Sequence, residues 1–135
     1  MLEERLKNRL RIIVEKSYYV KERYKIESTF ALLYHEEPLT PTELGKCVRK
    51  SDHFLELDDN HHFINFMYIS HQDAFKASQN LIQSLDKYFQ NNTSTIAIDT
   101  FDSIKTPTMV YNRLDEILKT IKDDPYSRVE DETVL

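Results

Sequence analysis

Glycine and cysteine are almost missing from this sequence. Gly45 is its only glycine, so it has none of the glycine-rich loops that let a backbone approach a nucleotide phosphate. A Walker loop and a Rossmann dinucleotide fingerprint are thereby excluded. Cys47 is its only cysteine, which excludes an intrachain disulfide and favours a buried structural side chain over a nucleophile.

Long apolar stretches and basic runs are also missing. No apolar run is long enough to span a membrane, and the charged N-terminus lacks the apolar centre of a signal peptide. A net charge of -5 disfavours non-specific nucleic-acid binding. These features predict a cytoplasmic protein with no membrane or nucleic-acid partner. The 135 residues, 40% of them hydrophobic and 30% charged, suit one globular domain.

The first half of the chain predicts a helix, a strand and a second helix. Apolar side chains recur at helical spacing over residues 2–24. A short, nearly continuous apolar run over residues 28–34 predicts a buried central strand. Thr40 and Pro41 supply a cap and a first-turn proline, so a helix is predicted from there to about Lys50. Its expected buried side chains are Leu44, Cys47 and Val48.

The second half predicts a hairpin, two helices and one further strand. Strands are predicted over residues 53–57 and 62–69, and the Asp/Asn-rich residues 58–61 favour a tight turn between them. Ser70 caps the next helix, and a strand follows over residues 95–101. The expected buried stripe of that helix consists of Ala74, Ser78, Leu81, Leu85 and Tyr88. A last helix opens with Thr106 and Pro107, and its expected buried stripe consists of Val110, Leu114, Ile117, Leu118 and Ile121.

This order of elements predicts an α+β fold. Short loops and one hairpin favour a palm-like, ferredoxin-like sheet of antiparallel or mixed strands with helices packed on it. We expect one domain over residues 1–122 and a polar, acidic tail over residues 123–135 that frays from Asp123 onwards. The expected core includes Leu32, Ile64, Phe66, Leu81, Ile98 and Leu118.

Six short motifs follow one another in a fixed order from Leu6 to about Arg128. In chain order they are Leu6-Lys-Asn-Arg9, the strand end Tyr34-His-Glu36, Arg49-Lys-Ser-Asp52, the hairpin Asp58-Asp-Asn-His-His-Phe63, the pair Ala74 and Ala77, and the closing segment Leu114-Asp-Glu-Ile-Leu-Lys-Thr-Ile-Lys122. Their order and spacing resemble those of the GGDEF (diguanylate cyclase) family. The resemblance implies the nucleotide-cyclase palm fold, in agreement with the pattern of elements.

The departures from the family pattern concern its catalytic centre. In the family, carboxylates of the first strand and the hairpin hold the metal ions that cyclise GTP. Here Tyr34 replaces the first carboxylate and leaves Glu36, while Asp58 and Asp59 replace the hairpin glycines. The family segment that grips base and phosphates is largely missing between residues 37 and 44. The resemblance therefore implies a degenerate domain with no catalytic residue, no metal ligand and no cofactor.

Arg49 and Asp52 match the Arg-x-x-Asp inhibitory site that binds cyclic di-GMP in the family. An arginine binds a phosphate or a guanine edge in bidentate fashion, and an aspartate accepts hydrogen bonds from guanine. We expect both side chains to project from one exposed corner, with Lys46 or Lys50 as the second basic group. Arg49→Ala is then expected to abolish binding and to leave thermal stability nearly unchanged.

Three functions are compatible with the sequence. The first is an inactive regulatory domain in signal transduction that binds a protein partner or forms a homodimer, or senses cyclic di-GMP through Arg49 and Asp52. The second is a divergent metal-dependent nucleotidyl cyclase, or another nucleotide-processing enzyme, that uses Glu36, Asp58 and Asp59. The third is an unrelated small α+β interaction protein. The side-chain geometry at the hairpin discriminates the first two.

Overall fold

A computed structural model describes residues 2–122, 124 and 126–135. Five strands form one sheet in the order β2-β3-β1-β4-β5, with helices on both faces. In chain order the elements are α1 (Glu4–Tyr24), β1 (Ser28–Tyr34), α2 (Pro41–Gly45), β2 (His53–Glu56), β3 (His61–Met67), α3 (His71–Phe89), β4 (Thr95–Asp99), α4 (Pro107–Ile121), β5 (Val129–Glu130) and a 3-10 turn (Glu132–Val134). No helix within these residues is both long and apolar enough to cross a membrane.

The central strand β1 organises the sheet. It pairs antiparallel with β3 on one side and with β4 on the other, so that Leu32 faces Phe63 and Ala97. Its alternate side chains enter two separate cores, with Leu32 beneath α1 and α4 and Leu33 beneath α2 and α3. Burial on both faces explains why this strand reads as a continuous apolar run.

The predicted hairpin and helix starts are confirmed. β2 and β3 pair antiparallel across the turn at residues 57–60. Thr40 and Ser70 accept hydrogen bonds from the amides of Glu43 and Asp73, and Thr106 caps α4 in the same way. These bonds satisfy first-turn amides that have no partner within the helix. The six predicted core residues, each at most 2% exposed, are Leu32, Ile64, Phe66, Leu81, Ile98 and Leu118.

The predicted length of α2 is wrong. The helix ends at Gly45, not near Lys50, and Cys47 and Val48 are only half-buried. The amide of Cys47 bonds three residues back, to Leu44, which tightens the chain into a turn. Glycine is a poor helix former, costing about 1 kcal/mol relative to alanine.

Strand ends and one helix stripe also differ from expectation. Tyr68 has a φ of 64°, in the left-handed region, and this ends β3 at Met67 rather than at Ile69. β4 likewise ends at Asp99, two residues before the predicted end. Tyr88, expected in the core, is 51% exposed, and its ring packs edge-on against Phe89.

The C-terminal segment does not fray as predicted. Val129 and Glu130 extend the sheet as β5, parallel to β4, and the buried Asp131 caps the 3-10 turn that follows. Arg128 forms two hydrogen bonds of 2.7 Å to Asp86 on α3, which fix the approach to β5. The predicted boundary at residue 123 lies outside the described residues.

Candidate ligand-binding site

Residues 49–52 form a closed turn between α2 and β2. The Asp52 amide donates to the Arg49 carbonyl at 3.0 Å, and the Arg49 amide donates to Oδ2 of Asp52 at 3.1 Å. The Arg49 guanidinium donates to the same carboxylate through Nη2, at 2.7 Å, and through Nε, at 3.1 Å. Four hydrogen bonds within four residues make this corner rigid.

Asp52 does not project into solvent as expected. Its side chain is 1% exposed, against 42% for Arg49, and both of its oxygens accept from Arg49. The hydrogen bond to Asp52 outweighs partial burial and raises the pKa of the Arg49 guanidinium, which therefore stays charged. Asp52 therefore positions Arg49 and has no acceptor left for a guanine base.

Arg49 lies at a cavity of about 290 Å³ between this turn and α3. Nη2 also donates to the Met67 carbonyl at 2.7 Å, which fixes the guanidinium plane, whereas Nη1 makes no hydrogen bond within the described residues. The apolar part of the wall consists mainly of Cys47, Val48, Phe66, Ile69, Ala77 and Leu81. Such a mixture of apolar wall and few polar groups is typical of small-molecule sites, and the volume is at their lower limit.

Besides Ser84, helix α3 contributes three polar side chains to this cavity. Asp73, Lys76 and Asn80 line it, at spacings that place them on one helix face. All three are exposed, and no ion pair within the described residues involves Asp73 or Lys76. Lys76 is thus the other basic side chain at the cavity, because neither Lys46 nor Lys50 lines it. The i, i+3, i+7 spacing of Asp73, Lys76 and Asn80 is visible in the sequence, but the packing of the turn against α3 is not.

The Asp58 carboxylate has a structural role in the hairpin turn. Oδ1 of Asp58 accepts hydrogen bonds from the amides of Asn60 and His61, both at 2.8 Å, and lies 2.9 Å from Nδ1 of His61. Asn60 in turn donates to the carbonyls of His35 and Glu36 at the end of β1. The Asp58 carboxylate therefore stabilises the turn through its own hydrogen bonds.

The end of β1 is occupied by an aromatic cluster. The ring of Tyr34 lies 5.2 Å from that of His61, centroid to centroid, and Nζ of Lys122 lies 3.9 Å above the tyrosine ring. A cation over an aromatic face is an attractive contact. Tyr34 stands where the family pattern has a metal-binding carboxylate, and Lys122 covers its ring.

Glu36, Asp58 and Asp59 do not form a metal-binding group. Over residues 2–122, 124 and 126–135, the one group of three potential ligands consists of His71, Asp131 and Glu132, away from the hairpin. Glu36 and Asp59 are exposed at the surface.

The architecture is that of GGDEF domains. The GGDEF domain of DgcB from Caulobacter crescentus, solved in complex with c-di-GMP, superposes with a TM-score of 0.64 at 11% identity, over 90% of this chain and 87% of that chain. The isolated GGDEF domain of PA1120 (TpbB or YfiN) from Pseudomonas aeruginosa gives 0.65 at 14% identity, over 93% and 86%. No protein-family model and no curated protein matches the sequence. The predicted fold class is confirmed.

Proposed function

We propose that this chain is a non-catalytic GGDEF-like regulatory domain that binds cyclic di-GMP in the cavity at Arg49. The observation that carries the proposal is the guanidinium of Arg49, fixed by the buried Asp52 on the wall of a cavity that Lys76 also lines. A cation already held in place loses little conformational entropy when an anion binds. The DgcB domain, which has the same fold, was solved with c-di-GMP bound.

The cavity offers complementary chemistry for one nucleotide half of that ligand. Arg49, through its unused edge, and Lys76 are donors for a phosphate. Guanine presents N–H donors at N1 and N2, for which the carboxylate of Asp73 and the amide oxygen of Asn80 are acceptors. Phe66 and the neighbouring aliphatic side chains cover the face of the base. In this arrangement Asp73 takes the role that the sequence assigned to Asp52.

The charge balance limits the affinity of a single site. Asp52 compensates Arg49, and Asp73 faces the same cavity as Lys76, so the wall has little net positive charge. An exposed ion pair contributes only about 0.2–1 kcal/mol. We therefore expect micromolar binding by one chain, and tighter binding where a second ligand molecule or a homodimer partner adds contact area.

The absence of cyclase activity is the second part of the proposal. Metal-assisted cyclisation of GTP needs carboxylates that converge on the triphosphate. Tyr34 with Lys122 occupies the strand end, and Asp58 is held within its own turn. These contacts support a domain that senses or relays a nucleotide signal without making one.

Calorimetric titration with cyclic di-GMP and with GTP, with and without Mg²⁺, tests the binding proposal. We expect saturable heat with cyclic di-GMP that is independent of Mg²⁺. Lys76→Ala removes a cavity cation that has no ion-pair partner within the described residues, so it is expected to weaken binding and preserve the fold. Lys50→Ala is the matched control, since Lys50 is exposed beside Arg49 but outside the cavity. No heat at high micromolar ligand rejects the proposal in favour of a protein-interaction module.

A further inference from the structure

Three side chains from two distant parts of the chain converge at the start of α3. His71 is the first residue of that helix, while Asp131 and Glu132 follow β5. Nε2 of His71 lies 2.8 Å from Oδ2 of Asp131 and 3.7 Å from Oε2 of Glu132. One potential ligand atom from each residue lies within 4.8 Å of the other two.

A hydrogen bond between His71 and Asp131 explains only part of this arrangement. Oε2 of Glu132 is buried and has no hydrogen-bond partner within the described residues. Leaving a buried carboxylate oxygen unpaired is costly, and at 3.7 Å Nε2 of His71 is too far away to donate a hydrogen bond to it. The cluster thus contains two carboxylates and one unsatisfied oxygen directed at the histidine.

The surroundings hold the two carboxylates in place. The hydroxyl of Thr100 donates to Oε1 of Glu132, which leaves Oε2 directed towards His71. Thr133 donates to Oδ1 of Asp131 through both its amide and its hydroxyl, at 3.0 and 2.7 Å. Outer contacts of this kind orient metal ligands in proteins.

We propose that His71, Asp131 and Glu132 bind a divalent transition-metal ion of the Zn²⁺ class. An ion with bonds of about 2.1 Å in tetrahedral geometry separates its ligands by about 3.4 Å, and the measured separations of 2.8 and 3.7 Å lie on either side of that value. An imidazole in the ligand set favours Zn²⁺ over Mg²⁺, Ca²⁺ and Mn²⁺. Water completes the coordination.

Such an ion fastens the C-terminal segment to the body of the domain. β5 is only two residues long, and the ion joins the segment behind it to the first turn of α3. A ligand that binds the folded state alone stabilises that state in proportion to the logarithm of its concentration. The bound ion is therefore expected to protect the amides of residues 129–134 from hydrogen exchange.

The experiment uses the untagged protein, freed of metal with a chelator and titrated with Zn²⁺, Mn²⁺ and Mg²⁺ by calorimetry and thermal denaturation. We expect one Zn²⁺ per chain, a higher Tm with Zn²⁺, and weaker or no binding of Mg²⁺. His71→Gln and Glu132→Gln each remove a ligand with little change in shape, and binding is expected to weaken by more than about tenfold. Circular dichroism verifies that both variants are folded.

His61→Gln is the matched control, because His61 also lies beside a carboxylate but outside this cluster. It is expected to bind Zn²⁺ like the parent protein. Absence of saturable one-to-one binding overturns the proposal. Undiminished binding by His71→Gln and Glu132→Gln, or its loss in His61→Gln, overturns it as well.

Discussion

The Arg49 guanidinium and the Asp52 carboxylate hold each other at 2.7 Å, with the arginine at the surface and the aspartate almost completely buried. This asymmetry couples the candidate ligand site to stability. Removing the arginine leaves a buried carboxylate without its partner, whereas removing an exposed neighbour leaves nothing unpaired.

Arg49→Ala is therefore expected to destabilise the fold, in contrast to the expectation from sequence that stability would hardly change. Loss of the charged partner of a buried group costs about 1–3 kcal/mol. Urea denaturation at pH 7 measures the difference. Lys50→Ala, with no such contact, is expected to stay within about 0.5 kcal/mol of the parent. Equal midpoints for the two variants would contradict the coupling.

The buried histidine His62 predicts loss of stability in mild acid. Burial lowers its pKa from 6.5 to about 4, and the side chain is completely inaccessible. Both states are neutral above pH 6.5, but between 6.5 and 4 only the unfolded state takes up the proton. Lowering the pH through that window therefore reduces the free energy of unfolding, by about 3 kcal/mol in total. Below pH 4 there is no further loss.

Urea denaturation at pH 7 and at pH 5 measures this effect, and His62→Leu is expected to remove most of it. His35 contributes in the same direction, because burial, the largest cause, lowers its pKa as well. The paired carboxylates Asp58 and Asp99 have pKa values below the ordinary 3.8, so they add little above pH 5. A pH-independent midpoint over this range would refute the assignment.

Leu32 lies at the centre of the sheet, where Leu32→Ala is expected to cost about 2–5 kcal/mol through lost burial and the cavity left behind. It is completely buried between β3 and β4, beneath α1 and α4. Ile104→Ala is the control, since Ile104 is 82% exposed and its loss is expected to change stability by less than about 0.5 kcal/mol. Thermal denaturation of both variants provides the comparison.

Local signals in the sequence predicted the framework, and tertiary contacts decided the rest. The apolar run of β1 and the caps at Thr40 and Ser70 are encoded within a few residues, so they could be recognised directly. A two-residue strand such as β5 has no periodicity to detect, and its place depends on Arg128 reaching Asp86 on α3. Hence the C-terminal segment was taken for a frayed tail.

The candidate site was predicted in the same partial way. The spacing of Arg49 and Asp52 predicted that both side chains project from one corner, but the aspartate is buried and holds the arginine. Lys76 and Asp73 were missed because the turn and α3 meet only in the folded chain. Which side chains share a cavity is a property of packing that a local pattern does not contain.

The last prediction concerns catalysis. Incubation with GTP and Mg²⁺ or Mn²⁺ is expected to yield no cyclic dinucleotide, because Tyr34 and Lys122 occupy the end of β1 and Asp58 is bound within its turn. Restoring two glycines in place of Asp58 and Asp59 is not expected to restore activity. The change removes the side chain that holds the hairpin, so it is expected to lower stability by about 1 kcal/mol.

Product analysis by chromatography decides the question, with an active diguanylate cyclase as the positive control. Turnover that disappears in Glu36→Gln or Asp59→Asn would show that these carboxylates hold metal after all. Turnover that persists in both variants would show that the activity does not depend on these two carboxylates. Because Glu36 and Asp59 are exposed, both variants are expected to fold normally, and a change in product would report on chemistry rather than stability.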